Sequence, residues 1–78
     1  MTVKVYSTPV CPYSQTLKEF LKGKGITFVD VDVSQDEKFV EELVQKSGQM
    51  GVPVVEIDGQ IVVGFDKEKI CQLLNIEG

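Results

Sequence analysis

The chain has 78 residues, 42% of them hydrophobic and 26% charged, and a formal net charge of −4 at pH 7. This length points to one domain spanning residues 1–78, and the composition is not that of a disordered chain. The acidic balance argues against nucleic acid, whose phosphates call for clustered cations.

The sequence has no Arg or His, so all its positive side chains are Lys. A histidine general base and histidine metal ligands are thereby excluded. No apolar run is long enough to span a bilayer, and the N-terminus lacks the basic-then-apolar layout of a secretory signal. A cytoplasmic monomer is expected. The two cysteines, Cys11 and Cys71, are too few for a disulfide scaffold or a four-thiolate zinc site.

In chain order, residues 2–7 alternate in a β-rich stretch and predict a strand. Pro12 suits the first turn of a helix, where a missing N–H costs nothing. Tyr13, Leu17, Phe20 and Leu21 then recur at helical spacing, and Gly23 and Gly25 close the helix. Residues 26–32 predict a second strand. Ser34 and Glu37 form a Ser-x-x-Glu capping box for a second helix, which carries Phe39, Val40, Leu43 and Val44 and stops near Gly48. After a loop over 49–52, Pro53 leads into Val54, Val55 and Ile57. Asp58-Gly59 is a strong hairpin signal, returning through Ile61, Val62 and Val63. Asp66 is a good N-cap for a last helix with Ile70, Leu73 and Leu74 on one stripe. The order βαβαββα predicts an α/β fold: a four-stranded mixed sheet with three helices covering both faces. Its first two strands are parallel through a right-handed crossover.

Cys11-Pro12-Tyr13-Ser14 falls where the first strand gives way to the first helix. The leading N–H groups of a helix have no intrahelical partner, and the macrodipole adds partial positive charge. A thiolate there is stabilised, which lowers the thiol pKa from about 8.5 and makes Cys11 a candidate nucleophile toward disulfides. Without histidine, the helix end is expected to supply most of this activation. Cys71, between Ile70 and Gln72, has two readings, a resolving or regulatory thiol and, the simpler one, a small apolar packing residue. Asp30, Asp32 and Asp36 read as a solvated edge, and no metal is assigned.

Cys-Pro-Tyr-Ser after strand one, Gly51-Val52-Pro53 before the hairpin and Val63-Gly64-Phe65-Asp66 before the last helix resemble the glutaredoxins over nearly the whole chain. The resemblance implies a thioredoxin-like fold and a thiol–disulfide oxidoreductase. It implies that Pro53 is a cis proline placing the Val52 backbone beside Cys11. Pro12, Tyr13, Val52, Pro53, Gly64, Phe65 and Asp66 would then bind glutathione or another thiol substrate, Tyr13 as a groove wall and Gly64–Asp66 through backbone N–H groups. Glutathione is the implied co-substrate, with no tightly bound cofactor, and protein disulfides are the implied partners.

The chain departs from the dithiol pattern at Ser14, where the resolving cysteine would stand. Either it is a natural monothiol protein, or it is an engineered Cys-to-Ser form. It also has Thr8 where glutaredoxins often carry a glutathione-binding Lys, so weak glutathione affinity is expected. Two alternatives accompany this reading. One is a redoxin reduced by thioredoxin reductase that feeds ribonucleotide reductase, suggested by Gly-Phe-Asp. The other is an iron–sulfur carrier using Cys11 and glutathione.

Overall fold

The structure is a computed structural model, and residues 2–76 are described. The elements run β1 (Val3–Ser7), α1 (Pro12–Gly23), β2 (Val29–Asp32), α2 (Glu37–Ser47), β3 (Val54–Ile57), β4 (Gln60–Val63) and α3 (Lys67–Leu74). The sheet order is β2-β1-β3-β4. β1 pairs parallel with β2, while β1–β3 and β3–β4 are antiparallel. This is the predicted mixed sheet.

Alternation along the strands divides the core between the two faces. Val3, Val5, Val55, Ile57 and Val62 pack with Leu17 and Leu21 of α1 and Ile70 and Leu74 of α3. On the other face Tyr6 and Val54 pack with Val33 and with Leu43 of α2. Each fully buried aliphatic side chain contributes about 1.5–3 kcal/mol. Among the described residues no helix is long and apolar enough to cross a membrane.

The hairpin forms at Asp58-Gly59 as the sequence predicts. Both residues have positive φ, 48° and 86°, the combination required by a two-residue type I′ turn.

Two expectations need correction. The second strand begins at Val29, not at residue 26, because its pairing with β1 starts at Lys4 opposite Val29. The Ile26 N–H is already used, donating to the Leu21 carbonyl at 2.9 Å to close α1. The second helix is capped by Asp36, not by Ser34. The Asp36 carboxylate accepts from the Lys38 N–H at 2.9 Å. Ser34 lies in the preceding turn, where its N–H and hydroxyl both donate to Asp32.

A polar cluster the sequence did not announce joins α2 to the sheet. Tyr6 is fully buried, and its hydroxyl donates to Glu42 at 2.6 Å. Lys46 donates to the Tyr6 oxygen at 3.2 Å and to both Glu56 oxygens at 2.9 and 2.8 Å. Charge-assisted bonds of this kind are the stronger ones. They hold the Lys46 pKa well above its usual value, chiefly through Glu56. They also fix the C-terminal half of α2, which leads into the loop facing Cys11.

Candidate functional site

Cys11 is the N-cap of α1, with extended backbone (φ −88°, ψ 114°), and Pro12 opens the helix as predicted. The extended conformation turns the chain from the β1 loop into the helix. It leaves Sγ at the first turn, partly exposed.

The loop after α2 closes over this position. Val52-Pro53 is a cis peptide, as the resemblance implied. The Cys11 thiol donates to the Val52 carbonyl at 3.8 Å, a long contact typical of a weak S–H donor. The Pro53 carbonyl is anchored by the Gly64 N–H at 2.8 Å, which extends the β3–β4 ladder by one residue. Cys11, Val52, Pro53 and Gly64 are thus brought together by three separate segments.

The Cys11 pKa lies below the ordinary thiol value. The first cause is the Ser14 hydroxyl, the second the Ser14 backbone N–H; the Tyr13 N–H adds a smaller share against partial desolvation. Ser14 is fully buried, and its Oγ has no hydrogen-bond partner in the structure. These facts fit together because they concern two states. The thiol spends its proton on Val52. A thiolate is an acceptor only, and the unpartnered hydroxyl one turn along the helix is the donor placed to meet it. To the helix end that the sequence pointed to, the structure adds the Ser14 side chain, with the Ser14 and Tyr13 amides acting alongside it.

The other candidate residues divide. Tyr13 is 70% exposed beside Cys11, so it is not a core residue, although it falls on the apolar helical spacing. Phe65 is half-buried and packs its ring against Phe20, centroids 5.7 Å apart. Asp66 caps α3, accepting from the Lys69 N–H at 3.2 Å. The Gly64 N–H is occupied by Pro53, so Gly64, at φ 77°, serves the proline loop instead of offering a donor.

Asp30, Asp32 and Asp36 each have a local task. Asp30 pairs with Lys18 at 3.1 Å, Asp32 holds Ser34, and Asp36 caps α2. Cys71 is a free thiol, 8% exposed, on the buried side of α3.

Comparison with known proteins accords with this geometry. The glutaredoxin family pattern matches residues 3–62. The chain belongs to the glutaredoxin family. A glutaredoxin-like 8.6 kDa protein of the Clostridium pasteurianum rubredoxin operon is 53% identical over 72 residues, covering 92% of this chain and 96% of that one. Glutaredoxin 3 of Escherichia coli is 33% identical over 64 residues, covering 82% and 77%. Among solved structures, the T8A mutant of the thioredoxin-like protein BC3987 superposes with a TM-score of 0.91 at 39% identity, covering 97% of each chain. The fold is accordingly the thioredoxin-like one that the resemblance implied.

Sequence reasoning missed one participant. Gln49 gave no signal, since a lone Gln in a loop is ordinary. In the structure its carboxamide folds onto the Gly51 peptide, one residue from Val52.

Proposed function

We propose that this glutaredoxin-like protein is a monothiol thiol–disulfide oxidoreductase with Cys11 as its nucleophile. The observation that carries the reading is the placement of Cys11: an N-cap thiol with a lowered pKa, in contact with the Val52 carbonyl of the cis-proline loop.

In the first step the Cys11 thiolate attacks one sulfur of a disulfide R–S–S–R′. A Cys11–S–S–R bond forms, and R′S⁻ leaves and takes a proton. Ser14 cannot attack that mixed disulfide. A second thiolate from solution therefore attacks, restoring the Cys11 thiolate and carrying R away as a new disulfide. An external thiol such as glutathione suits this role. A dithiol relay through residues 11 and 14 is not open to a serine.

The surroundings of Cys11 indicate how substrate is held. Residues 5–17 and 47–55 contain no Asp, Glu, Lys or Arg. Val10, Tyr13 and Met50, on the two segments that meet at Cys11, are 87%, 70% and 71% exposed. Such a rim offers main-chain pairing and apolar contact instead of charge. It favours a polypeptide disulfide as the oxidised substrate and is consistent with weak binding of free glutathione.

The test is to incubate the protein with glutathione disulfide and record its intact mass. One glutathione on Cys11, released by reductant and absent in Cys11→Ser, supports the reading. A protein that takes no adduct at any pH between 6 and 9 rules it out.

A further inference from the structure

We infer that Gln49 is a positioning residue for the Cys11 site, acting as a clasp on the peptide that precedes Val52. This deepens the proposed function and rests on Cys11 being the nucleophile.

The Gln49 side chain makes two hydrogen bonds to a single residue. Its Oε1 accepts from the Gly51 N–H, and its Nε2 donates to the Gly51 carbonyl at 3.0 Å. Only one orientation of a carboxamide satisfies both. Gln49 is itself tied back to α2: the Ser47 Oγ lies 2.8 Å from the Gln49 carbonyl oxygen and 2.7 Å from the Leu43 carbonyl oxygen, its single proton serving one of them at a time, and it accepts from the Gln49 N–H at 3.4 Å. A continuous chain of contacts therefore runs from the last turn of α2 through Ser47, Gln49 and Gly51 to Val52, whose carbonyl meets Cys11.

The same contact explains why position 51 is glycine. Gly51 is not among the residues with positive φ, so its backbone does not demand glycine. Space does: a Cβ there would stand 2.6 Å from Gln49 Oε1. That oxygen is the end of a flexible side chain and can swing away at little steric cost. Swinging away breaks both bonds of the clasp. Gly51→Ala is thus equivalent to removing the Gln49 carboxamide.

Held this way, the Gly51 peptide has both polar groups occupied, and Val52 is left as the residue presenting its main chain to a bound disulfide. Releasing the clasp loosens the presenting edge without touching the sulfur or the groups that lower its pKa. Binding should weaken while thiol reactivity stays constant, a separation that a merely structural role would not produce.

The experiment compares Gln49→Ala, Gly51→Ala and the double variant with the unsubstituted protein. Three quantities are read: hydrogen exchange at the Gly51 amide, the rate of Cys11 alkylation by iodoacetamide against pH, and KM and kcat for a peptide–glutathione mixed disulfide with glutathione as reductant. The expected result is exchange and KM both raised about tenfold in each single variant, on the scale of two lost neutral hydrogen bonds. The double variant should show no further change, because both substitutions undo one interaction. The alkylation profile should not move.

Unaltered Gly51 exchange in Gln49→Ala, additive effects in the double variant, or an unaltered KM would each overturn the clasp as a positioning device. An unsubstituted protein that alkylates like a free thiol and turns over no mixed disulfide would instead sink the reading of Cys11, and the positioning role with it.

Discussion

The Val52 carbonyl lies 3.8 Å from the Cys11 sulfur, although the two residues are 41 apart in sequence. The distance is set from both sides. The helix start fixes the sulfur, and the cis peptide, the Gly64–Pro53 bond and the sheet fix the carbonyl. While the thiol keeps its proton it leans on Val52. Once ionised it is repelled by that carbonyl and supported by Ser14. On the proposed function, the ionised sulfur is the form released toward an incoming disulfide.

Ser14→Ala removes the foremost cause of the lowered pKa and leaves the backbone amides in place. The Cys11 pKa should rise toward its ordinary value. Alkylation at pH 6.5 should slow, because a smaller fraction of the sulfur is then ionised. Rates measured above pH 9, where the thiol is ionised in either protein, should nearly coincide. Where the thiol keeps its proton, stability should hold or rise slightly, because a buried hydroxyl without a partner is deleted; at a pH where Cys11 is ionised, the lost support of the thiolate works the other way.

Ser14→Cys is a near-isosteric change at a fully buried site and places a second thiol one turn from Cys11. The mixed disulfide should then resolve internally, as the introduced thiol attacks the Cys11 sulfur and expels the bound thiolate. Intact mass after glutathione disulfide treatment should show loss of two hydrogen atoms, carried away as two reduced glutathione molecules, in place of a glutathione adduct. Persistence of the adduct would mean that position 14 is out of reach of the sulfur.

Tyr6→Phe deletes the hydroxyl that serves Glu42 and Lys46 and leaves the buried ring in place. Urea unfolding at pH 7 should show a loss of about 1.5–3 kcal/mol, the range for hydrogen bonds to charged partners. The change also has a pH signature. Tyr6 is the first cause holding the Glu42 pKa below its usual value. Such a group stabilises the fold fully above its unfolded pKa of about 4.3, and that contribution is lost as pH falls through the lower folded value. The gap between wild type and variant should therefore narrow below pH 4.

Cys71→Ala should leave disulfide exchange at Cys11 unchanged and cost about 1 kcal/mol of stability, as expected for a small buried side chain. A fall in exchange activity without loss of stability would give Cys71 a redox role that its burial argues against.

Local signals were sufficient for much of this architecture. Asp58-Gly59, Asp66 and Gly48 act through their immediate neighbours, and each terminates or starts an element where expected. The position of Cys11 was readable for the same reason, because Pro12 and the apolar spacing after it mark a helix start. What escaped depends on contacts between distant segments. Tyr6 alternates with β1's buried valines and so looks outward, but a sheet covered on both faces buries it beneath α2. Ser34-x-x-Glu37 is a sound capping box on paper. It loses because Asp32 engages Ser34 and Asp36 offers a charged acceptor one residue before the helix. Ser14 reads as a polar first-turn residue, and only the packed structure shows its hydroxyl buried beneath the nucleophile's loop. Gln49 carries no periodicity, charge or turn preference by which it could have been singled out.

The central claim is tested most directly by the pH dependence of Cys11 alkylation, followed by intact mass so that Cys71 is scored separately. The structure predicts a single titration with its midpoint clearly below about 8.5, the value of an unperturbed thiol, moving upward in Ser14→Ala. A midpoint at or above that of a free cysteine, unmoved by Ser14→Ala, would contradict the assignment of Cys11 as an activated nucleophile.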